Sequence, residues 1–201
     1  VAVDRAYRVD EAGWGAGLTG GDRLLVAGGD GTVNGAAEAC MASGATLGVL
    51  PAGTANDFAR SLGVPLDPAG ACRVIAADAR RRVDVGRVGS RLFLNVVHVG
   101  LGAEVAPGVP AAHKRRWRHL GYLRTLAARL RGYRGFRARI SPTGPGNDWQ
   151  GRWLEIAVAN GHCFGGGQAV DEVRVDDGLL DLVAVRPRPP LRLLGLWLRA
   201  R

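Results

Sequence analysis

RLLVAGGDGTVNG, residues 23 to 35, joins an apolar run to a glycine-rich turn and then to a segment with helical spacing. A strand, a glycine turn and a helix N-terminus aim backbone N–H groups at one point, which suits a phosphate group. The segment matches neither the Walker fingerprint nor the dinucleotide fingerprint. It also contains Asp30, which would repel a phosphate. We expect Asp30 to bind a metal ion, to accept hydrogen bonds from the turn, or to bind a ligand hydroxyl group.

A second glycine turn follows the next apolar run. TLGVL at residues 46 to 50 leads into PAGTANDF at residues 51 to 58. Because the carboxyl ends of parallel strands meet at one edge of a sheet, the two turns are expected to lie together where open α/β sheets bind ligands. Thr54 and Asp57 have the spacing of a capping box, which is compatible with a helix cap and with a nucleotide contact.

The chain is predicted to form two domains, an α/β domain over residues 1–81 and a β-rich domain over residues 82–201. In the first domain, helical spacing predicts one buried face and an end at Gly44; the face comprises Val33, Ala36, Ala37, Cys40 and Met41. A second short helix is expected to end at Gly63 and Pro65. In the second domain, strand-like runs surround a basic helix predicted over residues 113–131, and another basic helix is predicted from residue 191.

The charge of the chain favours anionic partners. Its 201 residues carry a formal net charge of +9, and all but one of the 27 basic side chains are arginine. Nucleotides, anionic lipid headgroups and nucleic acid all fit such a surface, and a GC-rich genome explains the preference for arginine equally well. Nucleic acid is the least favoured, because no recognised binding module surrounds the basic helix. The basic helices are compatible with an anionic membrane surface and with simple solvation.

The three cysteines and the hydropathy pattern indicate the compartment in which the protein is expected. Cys40, Cys72 and Cys163 are far apart and lack metal-ligand spacing, which predicts a reducing compartment. No run of 18 apolar residues occurs. The expected location is cytoplasmic, with peripheral contact at the inner membrane surface as an option.

Acidic residues cluster near the end of this basic chain. Five acids fall within eleven residues: Asp171, Glu172, Asp176, Asp177 and Asp181. Oxygen ligands of this kind suit a hard cation such as Mg²⁺ or Ca²⁺, although the spacing is not that of an EF-hand. A solvated turn at the DDG sequence is the alternative.

Successive motifs resemble the diacylglycerol kinase catalytic-domain family, which includes bacterial lipid kinases and the sphingosine and ceramide kinases. The resemblance covers roughly residues 23–200 and follows the family's order. It rests on GGDGTVN, LGVLPAGTANDFARSLGVP, VDVGRV, FLNVVHVGLGAEV, AVANGHCFGGG and DDGLLDL. NAD kinases and phosphofructokinases share a related GGDGT-type loop. The resemblance therefore implies an NAD kinase/diacylglycerol kinase-like α/β nucleotide domain and a β-sandwich-like second domain.

The resemblance also implies ATP and Mg²⁺ as cofactors and assigns site residues. ATP would contact Thr54 and the first loop, that is Gly28, Gly29, Asp30, Gly31, Thr32, Val33 and Asn34. Asp30 would then handle Mg²⁺ or its waters, and Asp57 and Asp84 match a hydrogen-bond network between the domains. A structural Mg²⁺ is implied at the Asp177 carboxylate and the backbone carbonyls of Arg174 and Leu179.

The implied reaction is transfer of the ATP γ-phosphoryl group to a lipid hydroxyl group. A kinase for a soluble acceptor such as NAD and an inactive nucleotide-binding remnant are the alternatives. The resemblance implies a truncated chain, because the family's first strand and its later DGE-like motif, which bears the base, have no counterpart. No catalytic base is therefore assigned, and the oligomeric state is left open.

Overall fold

The computed structural model describes residues 3–8, 10–11, 13–101, 103, 134–144, 147–164, 168–169 and 173–189. The helices predicted over residues 113–131 and from residue 191 lie outside these ranges. In chain order the described elements are β1 (Arg23–Gly28), α1 (Asp30–Ser43), β2 (Thr46–Pro51), α2 (Asp57–Ser61), α3 (Pro68–Ala76), β3 (Gly86–Val88), β4 (Arg91–Phe93), β5 (Val96–Gly100), β6 (Phe136–Ile140), β7 (Trp149–Trp153), β8 (Glu155–Ala159), β9 (Cys163–Phe164), β10 (Gln168–Ala169) and β11 (Asp181–Val185).

The chain divides into two compact units. Unit 1 comprises Val1–Val96 and Ala159–Asp181, and unit 2 comprises Val97–Val158 and Leu182–Arg201. Unit 1 is therefore built from two separate stretches of sequence. The predicted boundary between residues 81 and 82 remains a prediction.

A pair of parallel strands forms the framework of unit 1. β1 pairs with β2 in register, from Arg23 opposite Thr46 to Gly28 opposite Pro51. Both strands are short apolar runs, but they are less buried than expected, because Val26 and Val49 are the only fully buried residues of β1 and β2. Because the two strands end opposite each other, the glycine turn after each one begins at the same edge of the sheet.

Helix α1 lies against these strands through small apolar side chains. Its buried residues are Val33, Ala36, Ala37 and Cys40. Gly44 adopts a left-handed conformation (φ 77°) at the C-terminus, and its N–H donates to the Cys40 carbonyl. The predicted end of the helix is confirmed, whereas the predicted burial of Met41 is wrong, because its side chain is 53% exposed.

A third helix, α3, was missing from the sequence interpretation. Asp67 caps it by accepting a hydrogen bond from the Gly70 amide at 2.7 Å, and Pro68 occupies its first turn. Both features are standard signals of a helix start. Glycine and β-branched residues in PAGACRVIA lower the intrinsic helix propensity and conceal the signal.

The core of unit 1 joins β1, β2, α1, α2 and the segment after β4. Its buried members are Val26, Val33, Ala36, Ala37, Val49, Phe58, Ala59 and Leu94. Two short antiparallel pairs complete the described part of this unit, β3 with β4 and β9 with β10.

Unit 2 is mainly β-structure in the residues that the structure describes. β8 lies between β11 and β5 in a three-stranded sheet, and β6 pairs with β7 in an antiparallel hairpin. His98 was predicted to be a buried, hydrogen-bonded residue of its strand; it is half-buried, and its Nδ1 atom lies 2.7 Å from Glu155 Oε1. The predicted order of an α/β part followed by a β-rich part is confirmed. No helix in the described ranges is long and apolar enough to cross a bilayer.

Candidate nucleotide and metal site

The two glycine turns are in direct backbone contact. A Cβ atom built on Gly53 would lie 2.3 Å from the Cα atom of Gly29, and one built on Gly29 would lie 3.0 Å from the Cα atom of Gly53. Gly53 has no room for a side chain, and a Cβ atom on Gly29 would be tight against Gly53, so the close contact depends on glycine at position 53 above all. The expectation that the turns share one edge is confirmed.

Helix α1 begins at this edge with its first amides free of helical partners. Gly29 is the N-cap residue and makes no side-chain cap, and the first helical bond runs from the Val33 amide to the Gly29 carbonyl at 3.0 Å. The amides of residues 30–32 precede that bond. A Cβ atom on Gly31 would have no neighbour within 4 Å. An anion can therefore approach the positive end of the α1 dipole.

Asn56 closes the second turn. Its Oδ1 atom accepts from the Gly53 amide at 2.8 Å and its Nδ2 atom donates to the Gly53 carbonyl at 3.0 Å. Asn56 adopts a left-handed conformation (φ 53°) that asparagine tolerates better than most residues. Helix α2 starts after it at Asp57 with no side-chain cap, so the capping box expected from Thr54 and Asp57 does not form. Thr54 is exposed in the turn.

Asp30 connects three parts of unit 1. Its Oδ1 atom accepts from the Phe58 amide at 2.9 Å and from Asn95 Nδ2 at 3.0 Å. Asp30 was expected to bind a metal ion, to accept hydrogen bonds from its own turn, or to bind a ligand hydroxyl group. In the structure it accepts hydrogen bonds, but the donors lie in distant segments and not in its own turn. Its other carboxylate oxygen accepts no hydrogen bond from the described residues, so a role toward a cation stays open.

Two residues of the first loop make their contacts toward the interior. Val33 is 2% exposed in the core. Asn34 Nδ2 donates to the Leu92 carbonyl and its Oδ1 atom accepts from the Leu94 amide, each at 3.0 Å. These contacts attach α1 to the segment around β4. The nucleotide contacts predicted for Val33 and Asn34 remain predictions. The sheet edge where β1 and β2 end is formed by residues 28–32 and by the second turn.

A hydrogen-bond relay leads from Asp30 across unit 1. The Asn95 carbonyl accepts from the Asn160 amide at 2.7 Å. Asn160 is 1% exposed, and its Nδ2 atom donates to the Asp84 carbonyl at 2.8 Å and the Leu94 carbonyl at 3.0 Å. The Oδ1 atoms of Asn95 and Asn160 are buried acceptors without a donor among the described residues. Such atoms commonly bind a water or a hydroxyl group.

The relay ends at the acidic turn that contains three described members of the predicted cluster. Asp84 accepts from the Gly178 amide through Oδ2 at 2.7 Å, and its own amide donates to the Val175 carbonyl at 2.7 Å. Asp84 thereby fixes the turn from both sides.

The side chains of this turn have different roles. Asp177 Oδ1 accepts from the Leu179 amide at 3.0 Å, which is the local turn bond expected of a DDG sequence. Asp176 pairs with Arg81 at 2.7 Å, and this hydrogen bond lowers the pKa of its carboxyl group. Burial raises the pKa of Asp181, with a smaller contribution from the charge of Asp177.

A metal ion would need backbone ligands at this turn. No group of three or more His, Cys, Asp or Glu side chains is arranged to hold a metal ion in the part of the chain that the structure describes. The predicted set is one carboxylate, from Asp177, and the carbonyls of Arg174 and Leu179. These are oxygen donors and fit Mg²⁺ or Ca²⁺ by their chemistry. Asp171 and Glu172 lie outside the described residues.

Three asparagines of the site were missed as individual residues in the sequence interpretation: Asn56, Asn95 and Asn160. Two of them had a visible signal, since Asn95 interrupts the apolar run LFLNVV and Asn160 ends the apolar run IAVAN. A polar side chain within a buried strand usually has a hydrogen-bond partner. The identity of that partner depends on segments that are distant in sequence.

Comparisons with known proteins match the chain to two successive domains, and the second match includes residues 159–181, which pack with unit 1 in the structure. The diacylglycerol kinase catalytic domain matches residues 4–88, and the YegS C-terminal NAD kinase beta sandwich-like domain matches residues 95–199. The "Probable lipid kinase YegS-like" of Pseudomonas putida is 39% identical over 194 residues, which are 90% of this chain and 64% of that protein. The protein of the same name from Pseudomonas aeruginosa (strain UCBPP-PA14) is 39% identical over 188 residues, 92% of this chain and 60% of that one.

Solved structures of diacylglycerol kinases have a fold similar to that of this chain. The crystal structure of a diacylglycerol kinase from Bacillus anthracis is 26% identical with a TM-score of 0.65, covering 87% of this chain and 58% of that one. A further crystal structure from the same organism is 30% identical with a TM-score of 0.67, covering 89% of this chain and 58% of that one. The chain thus spans about 60% of the length of these relatives.

A diacylglycerol kinase-type α/β domain followed by a YegS-type β-sandwich-like domain is the domain order of the diacylglycerol kinase/YegS class of proteins. The chain belongs to the diacylglycerol kinase catalytic-domain family, and its curated relatives are YegS-like lipid kinases.

Proposed function

We propose that this protein transfers the γ-phosphoryl group of ATP to the hydroxyl group of a lipid, diacylglycerol or a related molecule, in a reaction that requires Mg²⁺. The observation that carries the proposal is the contact between Gly29 and Gly53 at the edge where β1 and β2 end. It brings two glycine turns and an uncapped helix N-terminus together, which supports binding of a polyphosphate.

The nucleotide is proposed to bind along the first loop. The amides of residues 30–32 would donate to phosphate oxygens, and Gly31 leaves the approach open. Thr54, exposed on the second turn, is available as a further contact. Gly28 and Thr32 shape the loop, because a Cβ atom on Gly28 would lie 2.7 Å from Thr32 Cβ.

Two acidic positions are proposed to serve Mg²⁺. Asp30 keeps one carboxylate oxygen outside its two hydrogen bonds, and the nearby buried Oδ1 atom of Asn95 can accept from a water molecule. At the second position, Asp177 with the carbonyls of Arg174 and Leu179 would hold a structural ion. When bound, Mg²⁺ offsets phosphate charge.

The contribution of the chain itself is positioning. The turn bonds of Asn56 hold the second loop, and the bonds of Asp30 hold the first loop against α2. Holding reactants in place supplies a large part of the rate in phosphoryl transfer. No residue is assigned as the base that accepts the proton of the acceptor hydroxyl group.

The test uses the purified chain, Mg²⁺ and radiolabelled ATP, with mixed micelles that contain diacylglycerol, phosphatidylglycerol or sphingosine. We expect label in one lipid, and a rise in the thermal unfolding midpoint when ATP and Mg²⁺ are added. Stabilisation by ATP without any labelled lipid would identify the chain as a nucleotide-binding remnant. In a parallel reaction with NAD in place of the micelles, label in NAD without label in any lipid would replace the lipid acceptor by a soluble one.

Variants connect the result to the proposed residues. Gly53→Ala is expected to abolish stabilisation by ATP, and Gly35→Ala, an exposed position of α1 with no neighbour within 4 Å of a built Cβ atom, is the matched control. Equal stabilisation of both variants by ATP would contradict the proposed location of the nucleotide.

A further inference from the structure

A groove in unit 2 combines two tryptophans with two arginines. It has a volume of about 420 Å³ and is lined by Trp149, Trp153, Ala184, Val185, Arg186 and Arg188. We call it the tryptophan–arginine groove. It lies on strands β7 and β11 and on the segment that follows β11, and none of its residues takes part in the site proposed for the nucleotide.

The base of the groove is a buried tryptophan, Trp153. Trp153 is 3% exposed, and its indole N–H donates to the Ala138 carbonyl of β6 at 3.1 Å. The guanidinium carbon of Arg186 lies 5.1 Å from the centre of the Trp153 ring, within the range of a cation–π interaction. One face of the ring is therefore covered by a cation that is itself exposed to solvent.

The two arginines of the groove are held in an extended segment. Arg186 and Arg188 each precede a proline in the sequence RPRP, and a residue before proline is restricted to extended conformations. In an extended chain, residues two positions apart lie on the same side. Both side chains line the groove, and neither forms an ion pair with a described residue.

The hairpin beside the groove adds uncompensated positive charge. Arg137 of β6 lies directly opposite Arg152 of β7, and like charges opposite each other destabilise a sheet. In residues 134–144, 147–153 and 186–189 there are six arginines and one acid, Asp148, which pairs with Arg139. A nearby anionic surface would relieve this repulsion. At moderate salt the attraction between such a surface and the arginines extends about 10 Å, so it acts on arginines of both faces of the hairpin.

Trp149 gives the surface an apolar part that reaches solvent. It lies opposite Ile140 in the hairpin, on the same face as Trp153, and is 45% exposed. Indole rings favour the boundary between water and lipid because one end is apolar and the other donates a hydrogen bond. Arginine side chains can lie along apolar surface while their charged ends meet headgroups.

We propose that the tryptophan–arginine groove and the β6–β7 hairpin form a docking surface for an anionic phospholipid bilayer. A single-stranded nucleic acid fits less well, because such binders present several open aromatic faces for base stacking. Here the face of Trp153 is occupied by Arg186 and only Trp149 is substantially exposed. The proposal goes beyond phosphoryl transfer, since docking requires neither ATP nor an acceptor.

The test measures partition of the chain onto sucrose-loaded vesicles of phosphatidylcholine, with and without phosphatidylserine, an anionic lipid that has no free hydroxyl group to accept a phosphoryl group, in the absence of nucleotide. We expect binding only with phosphatidylserine and a steady loss of binding as NaCl is raised. Arg186→Gln combined with Arg188→Gln should lower the partition coefficient about 30-fold, since each arginine near an anionic surface contributes about 1 kcal/mol, or roughly fivefold. Arg87→Gln combined with Arg91→Gln, at exposed positions of the β3–β4 hairpin, is the matched control and should leave the partition coefficient nearly unchanged, because neither residue belongs to the proposed surface.

A second pair of variants tests the apolar part. Trp149→Ser should weaken binding and Trp149→Phe should largely retain it, whereas Tyr7→Ser, which removes another aromatic residue that is 49% exposed, should have no effect.

Equal loss of vesicle binding in the arginine pair and in its control, or binding to pure phosphatidylcholine, would overturn the proposal. The proposal would also be overturned if the Arg186→Gln, Arg188→Gln variant bound vesicles normally but lost binding to oligothymidine, because that result would assign the surface to nucleic acid. Because stabilisation of the chain by ATP is measured without vesicles, failure of docking and failure of the kinase proposal are distinguishable.

Discussion

Asp30 and Asn95 are joined by a hydrogen bond of 3.0 Å although 65 residues separate them in sequence. The same Asp30 oxygen also accepts the Phe58 amide at 2.9 Å. One carboxylate oxygen therefore holds the first glycine turn, the start of α2 and the segment after β4 together. The aspartate that seemed misplaced in a phosphate loop has a structural role before any ligand binds.

Substitutions at Asp30 separate its structural role from a catalytic one. Asp30→Asn keeps an oxygen acceptor, so the free energy of unfolding should fall by only about 1 kcal/mol, because hydrogen bonds to charged groups are roughly twice as strong as neutral ones. Loss of the charge should lower phosphoryl transfer by about a hundredfold or more. Urea unfolding and the lipid-labelling assay measure the two effects. Asp67→Asn, which keeps the cap of α3, is the control and should change neither.

Glycine substitutions test the contact between the two turns. Gly53→Ala places a methyl group 2.3 Å from the Gly29 Cα atom and must separate the loops, so we expect a loss of about 1 to 3 kcal/mol in unfolding free energy. Gly35→Ala lies in the exposed interior of α1 and should stabilise the fold by about 0.5 to 1 kcal/mol. Chemical denaturation of both variants gives the comparison. Unchanged stability of Gly53→Ala would show that the turns are not in contact in solution.

Asn160 should be among the most sensitive positions of unit 1. Asn160→Ala leaves the buried carbonyls of Asp84 and Leu94 without their donor, which should cost about 2 to 4 kcal/mol. Asn160→Asp should be worse, because a carboxylate brings negative charge toward those same carbonyls. Thermal unfolding measures both variants, with Asn147→Ala at an exposed position as the control. A melting temperature of Asn160→Asp equal to that of the unchanged protein would contradict the relay.

The three cysteines should differ in reactivity. Burial raises the pKa of the Cys40 thiol, and burial also raises the pKa of Cys163, partly opposed by its hydrogen bond with Ser61. A raised thiol pKa leaves less thiolate at a given pH, so both should react slowly with iodoacetamide at mildly alkaline pH. Cys72 is exposed and should react first. Peptide mapping after timed alkylation measures the order, and all three should react at similar rates in guanidinium chloride.

Local patterns were enough to predict the framework of unit 1. The apolar runs at residues 23–27 and 46–50 and the glycines after them correspond to β1, β2 and the turns at their ends. Gly44 ends α1 as predicted. These features depend on residues within one turn or strand, where sequence and conformation are directly linked.

Partners that are distant in sequence could not be predicted from local patterns. Thr54 and Asp57 had the spacing of a capping box, but the left-handed conformation of Asn56 and its bonds to Gly53 start the helix differently. Asn160 was visible only as a polar residue in an apolar run, and its acceptors lie 66 and 76 residues away. Tertiary hydrogen bonds of this kind have no periodic signal in sequence.

The discontinuous make-up of unit 1 limits how members of this family can recombine. Residues 159–181 return to the unit that contains Asp84 and Asn95, so a single crossover near residue 96 would combine Asn160 and the acidic turn of one parent with the loops of another. Hydrogen bonds that evolved together would then be mismatched. Chimeras that transfer 159–181 along with the first 96 residues inherit the relay intact. For engineering, the exchangeable module is therefore a pair of segments and not a single continuous stretch of gene.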